Sequence, residues 1–299
     1  MAAVLKPVRP FRKTVNEDEA LLVFVDEYSR MAEAYDERVA PRFAPFAEAL
    51  VARAGLRSHA TVLDVSTGTG LTAVLAAKAI GGTGLVVGID LADGALAVAQ
   101  TKAARLGLRN CRFEMLDARN IVYRSGTFDA ALCSFGLSSV GHEQTLREVY
   151  RVLKDGGSFH LVTWGPPSPG GAVWRELIKT HQTPTPSPEL AAVREADETF
   201  RRIAEASALT DESVLTAKLQ QSGFSGVRAE PQTVDVAFAT VDEVVRWWQG
   251  FGDHERELRE MGDAGRAAFR EALEDRWRAQ RHGDGYRFPW SVVFYDATT

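Results

Sequence analysis

Residues 61–70, TVLDVSTGTG, constrain this chain more than any other stretch: an apolar run closes on the acid Asp64 and passes into a Gly-rich turn. Thr61, Val62, Leu63 and Val65 suit a buried strand, since β-branched side chains fit a pleated surface. Gly68 and Gly70 then supply a turn where backbone can approach a ligand closely. Residues 71–80, LTAVLAAKAI, are almost free of charge and stop at Gly81 and Gly82. They predict a helix buried against a sheet, its amino end facing the turn and suited to an anionic group.

The same grammar recurs downstream. Residues 85–90, LVVGID, predict a second buried strand that again ends in an acid, Asp90, followed by Leu91 and a helix from Asp93 to the stop at Gly107. A third strand over 111–116 leads into Asp117 and Ala118, and a fourth within 127–137 (TFDAALCSFGL) ends at Ser134 and Phe135. Leu146, Val149, Tyr150 and Leu153 recur at helical spacing, and Gly156 with Gly157 stops that helix before residues 159–164 become extended. Strand and helix thus alternate five times, which with right-handed crossovers gives a doubly wound, mostly parallel α/β sheet. Asp64, Gly68, Asp90, Asp117 and Ser134 all fall at carboxyl ends of strands, where such sheets bind ligands, and this coincidence points to one nucleoside-type site.

Spelling separates two kinds of nucleoside site. Gly68, Gly70 and Ala73 satisfy the dinucleotide pattern GxGxxG/A with Asp90 at a suitable distance, so a nicotinamide-dependent oxidoreductase is one reading. In dinucleotide folds, however, the glycines directly follow the strand, whereas three residues separate Asp64 from Gly68 here. DVSTGTG resembles DxGxGxG, motif I of the class I S-adenosylmethionine-dependent methyltransferases, with Ser66 in place of the first glycine. MLDARN resembles the element in which an acid accepts from the adenine amino group, and TFDAALCSFGL resembles the strand beside the transferable methyl. The resemblance is to the ubiquinone and menaquinone type and covers about residues 30–165.

It implies a Rossmann-like seven-stranded sheet with an antiparallel last strand, S-adenosyl-L-methionine as cofactor and S-adenosyl-L-homocysteine as product. Tyr35, Asp64, Ser66, Thr67, Gly68, Gly70, Asp90, Leu91, Asp117, Ala118, Ser134 and Phe135 are then the expected cofactor contacts. Among them Asp90 accepts the ribose hydroxyls and Leu91 meets adenine. A third possibility keeps the fold and the cofactor but abandons methylation.

The flanks supply the acceptor side. Residues 1–54 read as a basic arm (Lys6, Arg9, Arg12, Lys13), with a transit segment or a flexible or swapped arm as its readings, and then a helical lid. Residues 55–165 form the cofactor core, the proline-rich 166–209 a cap inserted after the fifth strand, and 210–299 the rest of the core with helical segments on the substrate side. Tyr28, Trp164, Trp247 and Phe251 are the expected substrate contacts; on the 240s helix Val244, Val245 and Trp248 form the core stripe and leave Trp247 and Phe251 on a neighbouring face. Of six histidines, His142 and His254 are the candidate bases, with His181 behind them, and no metal set is expected. Where the family often has two histidines after the fourth strand, this chain has Ser138 and Ser139, which leans it from quinone synthesis toward specialised metabolism.

Composition bounds the partners. The chain has 299 residues, 45% hydrophobic and 25% charged, enough for a full core, and a net charge of -5 gives no general nucleic-acid footprint. No window approaches about eighteen apolar residues, so no membrane span is expected. Cys111 and Cys133 lack metal-type spacing and favour a reduced, cytoplasmic compartment. A small molecule is the expected partner, with a homo-oligomer through the apolar helix at Leu21 to Tyr28 as a further expectation.

Overall fold

The computed structural model describes residues 15–167 and 169–299; the basic arm lies outside them. Three helices come first, α1 (Glu17–Arg30), α2 (Ala32–Arg38) and α3 (Ala40–Ala54). Asn16 opens α1 with a capping box: its side chain accepts from Glu19 N while the Glu19 carboxylate accepts from Asn16 N. The alternating core follows as β1 (Thr61–Val65), α4 (Leu71–Ile80), β2 (Leu85–Asp90), α5 (Asp93–Arg105), β3 (Cys111–Met115), β4 (Phe128–Ser134), α6 (His142–Val152) and β5 (Leu153–Trp164). Two helices, α7 (Pro169–His181) and α8 (Pro188–Ser207), precede α9 (Glu212–Gln221) and β6 (Ser225–Phe238). Helices α10 (Val241–Trp248), α11 (Gly252–Glu260) and α12 (Gly262–Arg276), then the hairpin of β7 (Arg281–His282) and β8 (Gly285–Thr298), complete the chain.

Strand order is β3-β2-β1-β4-β5-β8-β6, with the two-residue β7 paired to β8 outside that row. Strands β1 to β5 pair in parallel, and β8 runs antiparallel to both β5 and β6. The order reverses between β1 and β4, so the carboxyl ends of those strands open a crevice. Alternation along each strand divides the core between two faces. Val62 and Val86 belong to one buried cluster with side chains of α3, α4, α7, α10 and α12, whereas Leu63, Val65, Val87 and Ile89 belong to a second with side chains of α6 and α9.

Three local expectations are corrected. Among the described residues no helix joins β3 to β4; the link runs through turns, and Ile121, 1% exposed, fills the place where a helix would pack. Leu153 is already extended (φ -74°, ψ 144°), so β5 starts before Gly156 and the helix ends without it. In α10 the buried row is Val241, Val244 and Trp247, three residues apart along one helix face. Trp247 is therefore core and Trp248 only half-buried, the reverse of the expected faces. Thr240 caps this helix by accepting from Glu243 N at 3.1 Å, and the Glu243 carboxylate accepts from Ala239 N at 2.6 Å.

Candidate active site

Two cavities, of about 420 and 400 Å³, lie above the crevice and share Phe24 and Tyr28 of α1 as a common wall. The first is floored by the turn after β1, with Ser66, Thr67 and Gly68, and by Asp90 and Leu91 at the end of β2. Asp117 and Ala118 after β3, Ser134 and Phe135 at the end of β4, and Tyr35 of α2 complete the expected set that lines it.

Asp90 is the organised acid of this cavity. Its Oδ2 accepts from Gly68 N at 2.8 Å and its Oδ1 from Ala92 N at 2.9 Å, so the carboxylate locks the Gly-rich turn to the start of α5. Burial, opposed by these N–H groups, holds its carboxyl above the usual range. Each carboxylate oxygen still has acceptor capacity, which fits a pair of ribose hydroxyls. Ser66 and Phe135 both hold positive φ (+54° and +55°). Non-glycine residues in that region are strained, and strain concentrates at functional sites. A Cβ on Gly136 would stand 2.4 Å from Ser66 Cβ, so the two positions are packed as a pair.

Asp64 and Gly70 do not line either cavity. Asp64 is 1% exposed beneath the turn, where its Oδ2 accepts from Thr67 Oγ1 at 2.6 Å, and burial pushes it up to about 7. Gly70, at φ +78°, has no room for a side chain because a Cβ would meet Ala99 Cβ at 2.7 Å. Both residues shape the turn from below.

Sequence reasoning missed Arg119, which lines the first cavity. Its Nε and Nη2 donate to both Asp117 oxygens at 2.8–3.1 Å, its backbone N adds a bond to Oδ1 at 2.8 Å, and its Nη1 reaches Asp18 of α1 at 2.6 Å. Against the upward pull of partial burial, Arg119 holds the Asp117 carboxyl below the usual range. These donors take up most of the acceptor capacity that an adenine amino group would need. The signal was present as an Arg two residues after the acid, but its fork reaches α1, 101 residues away in sequence.

The second cavity is aromatic. Trp164, Trp247, Phe251 and Tyr28 line it, together with His254. Phe135 on the first side lies 4.7 Å from Trp164 on the second, centroid to centroid, and Tyr35 lies 5.6 Å from Phe251. Phe43, also missed, fills the partition at 4.9 Å from Phe135 and 5.8 Å from Trp164. His142 lines neither cavity; it starts α6 with Nδ1 turned onto Ser139 O at 2.9 Å. His181 is likewise turned back on its own helix, Nδ1 to Leu177 O at 2.9 Å.

Helix α1 closes both chambers from above. Glu27, 3% exposed, pairs with Arg30 at 2.6 Å and with Arg256 of α11 at 2.5 Å. Ser29 Oγ donates to Asp93 at 2.9 Å, and a Cβ on Gly94 would stand 2.2 Å from Ser29 O, so α1 lies directly on the start of α5. On this helix Phe24 meets Phe200 of α8 edge-on at 4.7 Å, whereas Leu22 and Tyr28 are exposed. Among the described residues no helix is long and apolar enough to cross a membrane.

Comparison with known proteins agrees with this geometry. Residues 62–157 match a methyltransferase domain model. The ubiquinone/menaquinone biosynthesis C-methyltransferase UbiE of Citrobacter koseri is 30% identical over 179 residues, 58% of this chain and 69% of that protein. The YcgJ protein of Bacillus subtilis superposes with a TM-score of 0.55 at 19% identity, over 85% of this chain and 98% of that one. The [4+2]-cyclase SpnF superposes at 0.51 with 19% identity, over 86% of this chain and 80% of its own. Turn, acids and relatives together identify the chain as an enzyme that belongs to the class I S-adenosylmethionine-dependent methyltransferases.

Proposed function

We propose that the enzyme carries the methyl group to a small molecule held in the second, aromatic cavity, and that this acceptor belongs to specialised metabolism. The observation that carries the reading is how the two chambers divide the chain. Much of the first chamber comes from the stretch that matches the methyltransferase domain, whereas that stretch, residues 62–157, contributes nothing to the second. A shared cofactor with an acceptor of its own is the economical meaning of that division.

When bound, S-adenosylmethionine supplies a methyl group already activated on a sulfonium. The chain's part is to hold and to enclose. Asp90 offers acceptors to ribose hydroxyls, Leu91 offers an apolar face to the base, and Gly68 lets the backbone approach. Tyr28 and Tyr35, with ring centroids 5.9 Å apart, present π-faces that attract a cation beside the partition. Phe135, Phe43 and Trp164 leave an apolar boundary between the chambers.

The test is transfer of tritium from methyl-labelled S-adenosylmethionine to a panel of flat phenols and amines and, separately, to a demethylated polyprenyl quinol. Phe251→Leu should raise the acceptor KM by about tenfold while leaving S-adenosylhomocysteine affinity within about twofold. Efficient methylation of the quinol would overturn the assignment to specialised metabolism. An equal loss of cofactor affinity in the variant would overturn the assignment of the second chamber.

A further inference from the structure

Trp174 of α7 is 0% exposed, and its indole can only donate a hydrogen bond. A buried indole N–H needs an acceptor. Among the described residues its hydrogen-bonding partner is Nδ1 of His254, at 3.5 Å. The ring has little freedom to turn elsewhere: it stacks on Trp248 (4.9 Å, 13°) and meets Phe269 edge-on at 5.1 Å. His254 is boxed in as well, at 4.6 Å and 88° from Trp248 and 6.1 Å from Phe251.

Donor and acceptor roles follow from that pair. If the indole donates to Nδ1, then Nδ1 carries a lone pair and the imidazole proton sits on Nε2. The opposite tautomer would set N–H against N–H and leave the indole unsatisfied, a bias of about tenfold or more. Nε2 in turn makes no hydrogen bond among the described residues; the Asp253 carboxylate is 3.8 Å away, beyond bonding distance. Yet His254 lines the aromatic cavity.

We propose that His254 presents a fixed Nε2–H donor to an oxygen or nitrogen acceptor on the molecule to be methylated, and that Trp174 is the positioning residue that sets this tautomer. His254 is then an anchor and not the base expected from sequence, since its free nitrogen is occupied by the indole. The substrate class that fits is an apolar body bearing a carbonyl, ether or ring-nitrogen acceptor. The inference rests on the second cavity being the acceptor chamber.

The experiment uses the full-length enzyme labelled with nitrogen-15 in its histidine rings, with His254→Gln to identify one signal among six. The expected spectrum has His254 protonated at Nε2 and bare at Nδ1, and Trp174→Phe, checked for folding by S-adenosylhomocysteine binding, shifts it to a mixture of tautomers. A proton on Nδ1 in the wild type, or an unchanged tautomer in Trp174→Phe, overturns the positioning role; should that variant not fold, the wild-type spectrum alone decides. Acetophenone and ethylbenzene, two flat probes that differ by one carbonyl acceptor, test the anchor. Acetophenone should bind about fivefold tighter to the wild type and equally to His254→Phe. Equal binding of both probes to the wild type overturns the anchor. If neither perturbs the tryptophan indole signals, both the anchor and the acceptor-chamber reading fail, while the tautomer assignment stands.

Discussion

Ser66 occupies a backbone conformation that favours glycine, and Gly136 makes room for its side chain. A double-mutant cycle reads this pairing. Gly136→Ala should cost about 1–3 kcal/mol from overpacking, and much of that loss should return in Ser66→Gly, where the opposing Cβ is gone; full additivity in urea unfolding would contradict it. Asp64 gives a pH signature. Its folded pKa, about 7, lies above the ordinary carboxylate value, so it adds stability that is fully present at low pH and lost as pH rises through about 7. Asp64→Asn should therefore stabilise the protein at pH 8 by on the order of 1–3 kcal/mol, with the gain shrinking toward pH 5 in parallel thermal melts. An equal gain at both pH values would refute the buried-acid account. Both residues were visible in TVLDVSTGTG, but its spelling could not say that Asp64 points under the turn while Asp90 points into the cavity.

Elements with strong local periodicity were legible. The first two strands and α4 combine β-branched or alanine-rich runs with glycine stops, and they fall where those signals place them. Phase was the weak point. On α10, Trp247 and Trp248 are adjacent and equally apolar, and the tertiary packing of Trp247 on Phe238 and Trp290 decides which is buried. The first fifty-odd residues were legible as helices, but not the contact that ties α1 to α11. Glu27 of α1 meets Arg256 of α11, 229 residues apart, a contact with no sequence period. Glu27→Ala would leave Arg256 without this partner in a dry interface, and should cost about 3 kcal/mol and expose α1 to trypsin. A loss below about 1 kcal/mol with α1 still protected would show that the lid is held elsewhere.

At the scale of the whole molecule, the second cavity joins α1 to residues 164–291 across the sheet. The cofactor side was readable because its residues repeat at successive strand ends. The second cavity was readable only as a set of aromatics, since their convergence requires α7, α10, α11 and β8 to meet over β5. The division into two chambers makes Asp90 the residue on which cofactor binding turns. The direct test is calorimetric titration of S-adenosylhomocysteine, and separately NADH, into the wild type and into Asp90→Asn. The predicted result is saturable binding of S-adenosylhomocysteine by the wild type, no response to NADH, and an affinity at least about tenfold weaker in the variant, as expected for losing charge-assisted hydrogen bonds. Unchanged affinity in Asp90→Asn, or binding of NADH alone, would contradict the account.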